Sequence, residues 1–316
     1  MGEQMKTVVV TGSSTGIGWG IVKILIEKGY RVFGSVRKQA DAERLQAAFG
    51  ANFVPLLFDV TDVHAVREAA KAVLRRLDGH PLFGLVNNAG IAVAGPLLYI
   101  DPDLFRHQIE VNLTGQLIVT QAFAPLMIGD AARRSDAGRI IMMSSVGGKN
   151  ASPFVGPYNA SKFALEGFSE SLRRELMLFG TEVIVIAPGA VATPIWDKAE
   201  QLDISRYAGT PYAAALSAAR RYALTSGRNG LKPERVAQAV LRALTARKPK
   251  TRYTVTPEPL PPGHWLYEHP AVRLSPHISW SGPDTMSRTL EIFVENLRRF
   301  RQGAALRGLV DPVARY

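Results

Sequence analysis

The sequence predicts an α/β fold: a doubly wound parallel sheet with helices on both faces, followed by a C-terminal extension. Three observations carry that expectation. Short β-branched runs alternate with stretches of helical periodicity along most of the chain, and the first such run ends in a glycine-rich turn that opens a helix. With 316 residues, 47% of them apolar and 21% charged, the chain can also bury the core of one large domain.

Each element follows from its own pattern. Lys6 to Val10 reads as a strand, and Ile17 to Lys28 has apolar residues at helical spacing, stopped by Gly29. The unit recurs with Arg31 to Val36 then Asp41 to Phe49, Phe53 to Phe58 then Val63 to Leu77, and Leu82 to Val86 then Asp103 to Leu126. Arg139 to Met143 precedes Tyr158 to Phe179, Glu182 to Ile186 precedes Pro233 to Ala246, and a last strand is expected at Thr251 to Thr256. Right-handed crossovers between such strands bury both faces of a parallel sheet.

Two regions break the rhythm. Residues 193–230 separate a strand from its helix and are long enough to serve as a functional lid. A single catalytic domain is therefore expected over 1–256. Beyond it, 257–316 begins with Pro257, Pro259, Pro261 and Pro262, and then shows one helical pattern near 284–301, expected to pack on the domain through Met286, Leu290, Val294 and Leu297.

The formal charge of +11 is concentrated in one part of the chain. Residues 1–200 hold 20 Lys and Arg against 19 Asp and Glu, and residues 201–316 hold 18 against 8. The basic residues are scattered and not interleaved with aromatics on a recognisable motif, which argues against a nucleic-acid partner. Membrane-surface contact through Arg298, Arg299 and Arg301 is the less favoured reading of the C-terminal charge. There is no cysteine, so disulfide scaffolds, cysteine nucleophiles and cysteine-ligated metals are excluded. His264, His269 and His277 lack ligand spacing, and no metal is expected. Without an export signal or an apolar run long enough to span a bilayer, a cytoplasmic location is expected.

The chemistry is signalled first by Thr11 to Gly18. The turn joins the first strand to the first helix, where a doubly wound sheet binds the pyrophosphate of a dinucleotide. Gly12 suits the tight turn, Gly16 admits a close approach to a ligand, and Gly18 permits helix-on-strand packing; the helix N-terminal amides, from Thr15 through Ile17, then face the phosphates. The spacing is a variant of the common G-x-G-x-x-G fingerprint.

Further along, Tyr158 and Lys162 lie one helical turn apart at the start of a helix, so an ammonium beside a phenol should pull the tyrosine pKa down and make it a usable acid/base. Ser145 ends the preceding strand thirteen residues earlier, where strand end and helix start can converge on one carbonyl oxygen; Ser144 should face the other way by strand alternation.

These residues in this order resemble the short-chain dehydrogenase/reductase family, whose T-G-x-x-x-G-x-G turn stands here as Thr11 to Gly18. Asp59-Val60 matches the family's adenine-contacting pair, Asn87-Asn88-Ala89-Gly90 its N-N-A-G segment, and Pro188-Gly189 with Thr193 the stretch beside the nicotinamide. The catalytic pattern is matched by Asn112, Ser145, Tyr158 and Lys162. The resemblance covers about residues 6–247 and implies a Rossmann-type fold. It further implies that Tyr158 passes the proton, Ser145 holds the substrate oxygen, Lys162 binds the nicotinamide ribose and Asn112 steadies a water leading to Lys162. Nothing in the family pattern accounts for the segment beyond about Thr256.

NADP(H) is the preferred cofactor on this reading, with NAD(H) the alternative. After the second strand no acid appears until Asp41; Val36 stands where an NAD-specific site tends to carry one, and Arg37 follows, with Lys38 and the Ser13 hydroxyl as further donors to a 2′-phosphate. Thr15 departs from the basic residue that many NADP-dependent members carry in the turn.

The lid residues Ile195, Trp196, Leu202, Tyr207, Tyr212, Leu216 and Tyr222, with the uncharged stretch Ala151 to Val155, suggest an apolar pocket for a bulky lipophilic alcohol or ketone, as steroids, retinoids or long-chain alcohols would be. The expected function is an oxidoreductase acting on that small-molecule substrate; the alternative is a non-catalytic dinucleotide-binding sensor or scaffold. A homodimer or homotetramer is also expected, because the 158–179 helix carries Phe163, Met177 and Leu178 away from its Leu165, Phe168, Leu172 and Leu176 face.

Overall fold

The computed structural model describes residues 5–128, 138–201 and 203–257. They belong to the first of two units into which the chain divides, Met1–Pro257 and Glu258–Tyr316. The predicted 284–301 helix and the basic extension around it, with their packing and membrane alternatives, lie outside the described residues, as does Leu202.

The strands are β1 (Thr7–Val10), β2 (Arg31–Val36), β3 (Phe53–Leu57), β4 (Gly84–Asn87), β5 (Arg139–Met143), β6 (Glu182–Pro188) and β7 (Arg252–Val255). All pair in parallel in the order β3-β2-β1-β4-β5-β6-β7, which is the Rossmann-type sheet. Pro55 lies within β3, and the chain tolerates its missing N–H because β3 is an edge strand.

The period of two divides each strand between two cores. Val8 and Val10 face the layer of α1 (Gly16–Glu27), together with Ile21, Leu25, Val236 and Val240. Val9 joins Phe33, Leu85, Val119 and Leu165 on the other face. Because both faces are covered, the central strands read as uninterrupted apolar runs, with Val8, Val9 and Val10 each fully buried.

The remaining helices are α2 (Gln39–Phe49), α3 (Val63–Leu77), α4 (Pro102–Ile109), α5 (Gly115–Phe123), α6 (Gly156–Leu176), α7 (Ile195–Glu200), α8 (Ala213–Arg228) and α9 (Pro233–Thr245). The single helix expected over 103–126 is interrupted: α4 and α5 are joined by a π turn at Glu110–Thr114, a wider turn of the kind that recurs at functional sites. The 193–230 insertion contains α7 and the 16-residue α8. No helix among the described residues is long and apolar enough to cross a membrane.

The chain leaves β1 and β4, neighbours at the centre of the sheet, toward opposite faces. That divergence opens a crevice beyond their C-terminal ends, where doubly wound folds bind ligands.

Candidate active site

Thr11 pins the crevice. Its hydroxyl oxygen accepts from the N–H groups of Asn88 (2.9 Å) and Ala89 (3.0 Å), and the Asn88 side chain donates to the carbonyls of Thr11 (2.9 Å) and Gly12 (3.1 Å). The loops after β1 and β4 are therefore held at fixed separation. Gly12 and Gly16 both adopt positive φ, +68° and +60°. A Cβ at Gly12 would come within 2.9 Å of Ala89 Cα, and one at Gly16 within 3.1 Å of Thr193 Cβ.

The resulting cleft has a volume of about 400 Å³. Gly12, Thr15, Gly16, Ile17 and Gly18 line its floor, Val36, Arg37, Asp59 and Val60 one end, and Asn88, Ala89, Gly90 and Thr193 the rest. Thr15, at the N-cap of α1, makes no side-chain cap bond, and the first turn of the helix carries no acid. The helix thus turns uncapped amides and the positive end of its dipole toward the cleft, a site suited to a diphosphate.

Ser13 is placed differently from expectation. It is fully buried, and its hydroxyl donates to Val10 O at 2.9 Å, so it lies beneath the cleft while Ser14 takes the lining position. The Arg37 guanidinium stands 3.6 Å from the Asp59 carboxylate. Burial pushes the Asp59 carboxyl up, but the Thr61 N–H and hydroxyl and the Arg37 charge outweigh it and hold the group below its ordinary value.

Beyond Gly90 the second group of residues comes together. Asn112, fully buried in the π turn, accepts the Ile91 N–H at 2.8 Å and donates to Ile91 O (3.0 Å) and Ser161 Oγ (3.1 Å). Both its N–H donors are used, and one Oδ1 lone pair is left for a water. Ser161 donates in turn to Tyr158 O at 2.7 Å, which ties the cleft to the first turn of α6.

Ser145 lies two residues beyond β5 and caps the 146–148 turn, its hydroxyl accepting from Gly147 N (3.0 Å) and donating to Pro188 O (3.4 Å), and the Tyr158 ring packs beside the same Gly147. Lys162, 4% exposed, donates to Met143 O at 2.7 Å and stands 5.8 Å from the Tyr158 ring centre. Gly189, next to Pro188, donates to Val255 O at 2.9 Å. Ser144 points away from Ser145 and donates to Glu166, as alternation predicted.

The phenol's ionisation departs from expectation. Burial raises the Tyr158 pKa above its ordinary value, and the Ser145 hydrogen bond offsets this only in part. Lys162, bonded to Met143 O, does not dominate it. Its own pKa is lowered to about 8 by burial, with the Glu166 charge pulling the other way.

The family model described as short chain dehydrogenase matches residues 6–203. The chain belongs to the short-chain dehydrogenase family. It is 38% identical over 256 residues to the NADPH-dependent 3-dehydrocapnine reductase of Ornithobacterium rhinotracheale, covering 81% of this chain and 90% of that one. To human retinol dehydrogenase 5 it is 34% identical, covering 78% of this chain and 79% of that one. A short-chain dehydrogenase/reductase from Burkholderia phymatum, solved in complex with NAD, shares the fold with a TM-score of 0.68 at 20% identity over 98% of both chains. As a short-chain dehydrogenase, the protein is an NAD(P)-dependent oxidoreductase acting on CH–OH groups.

Around the short-chain dehydrogenase site, the lid residues singled out in the sequence separate into distinct positions. Tyr212 meets the rings of Tyr99 and Phe154 edge-on, each at 6.0 Å, and Tyr207 is buried against Gly95. Trp196 donates to Val191 O at 2.7 Å and packs against Gly227, anchoring the lid. Leu216 is buried, Ile195 lines the dinucleotide cleft, and Tyr222 is 76% exposed, away from any pocket. Sequence reasoning missed the loop before α4, where Leu97 packs beside Gly156 at the start of α6 and Tyr99 meets Tyr212; its signal was the apolar run Leu97 to Ile100 in a long connection.

Proposed function

We propose that this enzyme transfers a hydride between NADP(H) and the carbinol or carbonyl carbon of a bulky lipophilic alcohol or ketone. The observation that carries the reading is the convergence of Ser145 and Tyr158 on Gly147, where an added Cβ would lie 3.4 Å from the Ser145 hydroxyl and 3.3 Å from the Tyr158 ring, with the buried Lys162 one helical turn beyond Tyr158. The nicotinamide supplies the hydride when bound, and the protein supplies alignment and charge. Ser145 holds the substrate oxygen, Tyr158 gives or takes its proton, Lys162 holds the ribose, and Asn112 fixes the Tyr158 turn through Ser161 while its spare lone pair holds a water. Pro188, Gly189 and Thr193 flank the nicotinamide end. A sensor without turnover would have no need for this buried acid-base set.

The rings of Tyr99, Phe154 and Tyr212 support a lipophilic substrate, as does the similarity to a retinol dehydrogenase. Preference for NADPH rests on Arg37 in the cleft wall and on the NADPH-dependent relative. A charge-assisted hydrogen bond to the 2′-phosphate is worth about 1.5–3 kcal/mol, hence roughly tenfold to a hundredfold. Because Arg37 already faces Asp59 and Thr15 adds no charge, the lower end is expected. Dissociation constants for NADPH and NADH on wild type and Arg37→Ala test this: the variant should lose about tenfold for NADPH and little for NADH. Equal wild-type affinities, or a preference untouched in Arg37→Ala, would refute it.

Self-association is part of the same reading. An apolar groove of about 330 Å³ runs between α5 and α6, lined by Leu117, Ala124, Phe168 and Leu172 among others, and Phe163 on α6 and Met177 just past its end are exposed. Light scattering at micromolar concentration should give a dimer or tetramer, and Leu172→Glu should shift it to monomer. A wild-type monomer would count against the assignment.

A further inference from the structure

Glu166 is a buried carboxylate for which the proposed chemistry has no use. It lies one helical turn beyond Lys162 on α6, with its side chain only 9% exposed. Its Oε1 accepts from Ser144 Oγ at 2.7 Å, and Arg252 Nε, reaching across from β7, stands 3.2 Å from Oε2 and 3.4 Å from Oε1. Arg252 is oriented in turn by its bond to Thr254 Oγ1 at 2.6 Å. The 146–148 turn closes over the cluster, since a Cβ at Gly148 would come within 2.8 Å of Ser144 Oγ and 3.1 Å of Glu166 Cγ.

The Ser144 hydroxyl and the Arg252 guanidinium hold both oxygens of the Glu166 carboxylate in place. Its charge then acts on the next group along the helix. Lys162 is buried and uses one of its N–H donors on Met143 O, a neutral carbonyl, and among the described residues no anion stands in hydrogen-bond contact with it. Facing this pair are Arg252 from β7 and Tyr158 from α6 as the titratable or charged groups, with the Ser144 and Ser145 hydroxyls from the end of β5.

We propose that Glu166 is a positioning residue, clamped by Ser144 and Arg252, whose carboxylate fixes α6 against the end of β5 and holds Lys162 as an ammonium. The idea rests on the functional reading above, in which Lys162 meets the cofactor ribose. It also explains why Ser144 is a hydroxyl residue although it faces away from the catalytic side. The direction in which burial and Glu166 oppose each other at Lys162 agrees with it.

The test is the NADPH dissociation constant as a function of pH, with the thermal midpoint measured alongside. Wild type should lose affinity as Lys162 deprotonates at alkaline pH. In Glu166→Gln, which keeps the shape and removes the charge, that basic limb should move down by about one pH unit. Glu166→Asp should restore most of the shift, and Ser144→Ala, which removes one bond to the carboxylate, should move the limb the same way by a few tenths of a unit. A limb unmoved in Glu166→Gln, whatever the change in thermal midpoint, reduces Glu166 to a structural role and overturns the proposal. Should Glu166→Gln not fold, an unmoved limb in Ser144→Ala overturns it equally. Lys162→Met separates the two levels of argument: a limb that persists there refutes the placing of Lys162 itself and the functional reading beneath.

Discussion

Replacing Tyr158 by Phe is expected to cut turnover by about 10²–10⁴-fold, equivalent to roughly 3–5 kcal/mol of barrier, while NADPH binds as in the wild type. The substitution removes the phenolic hydroxyl and leaves the ring, which packs beside Gly147, and the Lys162 ammonium in place. Cofactor contacts assigned to the glycine turn and to Lys162 are thus spared. The raised phenol pKa gives the prediction a direction. Tyr158 holds its proton at neutral pH in this geometry and is ready to act as the acid in carbonyl reduction; as a base in alcohol oxidation it needs the phenolate, which burial disfavours. Reduction should therefore be favoured kinetically at neutral pH and oxidation should gain as pH rises. Steady-state rates with a panel of lipophilic ketones, followed by loss of NADPH absorbance, decide the first point. Retention of more than about a tenth of wild-type turnover in Tyr158→Phe would mean that another group carries the proton.

How much of this could be read from the chain alone depends on how local each cause is. Val8 to Val10 and Arg139 to Met143 are strands because β-branched or apolar residues in a short run have few alternatives once helices cover both faces, and Val63 to Leu77 is bounded by its Asp62 cap, which accepts Ala65 N–H at 2.9 Å. The site residues were legible for a similar reason, since glycines at fixed offsets and a Tyr and Lys four apart imply their geometry directly. Four features were not. Which way Ser13 turns depends on Val10 O and Ser35 O being on offer inside the bend, a contact fixed only when β1 and β2 pair. The phenol pKa depends on desolvation by residues from several elements, whereas spacing revealed only Lys162. Helix α8 was hidden in a different manner: its Ala-rich stretch from Ala213 has strong intrinsic propensity but few large apolar residues, and only Leu216 and Gly227 of it are buried, so a search for a buried stripe passed over it. The partner of Glu166, Arg252, is 86 residues away in sequence, and no local pattern announces such a pair.

Gly18→Ala is expected to weaken NADPH and NADH alike by about a hundredfold or more and to lower the thermal midpoint. The reason is steric and local. A Cβ at Gly18 would overlap the Gly12 carbonyl oxygen and come within 2.7 Å of the Asn88 amide nitrogen, neither of which is the free end of a flexible chain. Relief requires α1 to back away from the turn, or Asn88 to release the Thr11 and Gly12 carbonyls that it holds at 2.9 and 3.1 Å. Either movement separates the loops after β1 and β4 and tilts the uncapped amides of α1 off the position where a diphosphate would sit. Overpacking of this kind costs about 1–3 kcal/mol and at times more, and a hundredfold in affinity corresponds to about 2.7 kcal/mol. Gly20, two residues nearer the C-terminus on the same helix, is the control: a Cβ there would meet Pro233 at an ordinary 3.4 Å, so Gly20→Ala should bind both dinucleotides nearly as wild type. The pattern also separates this defect from that of Arg37→Ala, which should fall on NADPH alone because only the 2′-phosphate is lost. Titration of both dinucleotides against the three variants reads all of this in one experiment. Near-normal affinity in Gly18→Ala would show that the glycine turn does not cradle the diphosphate.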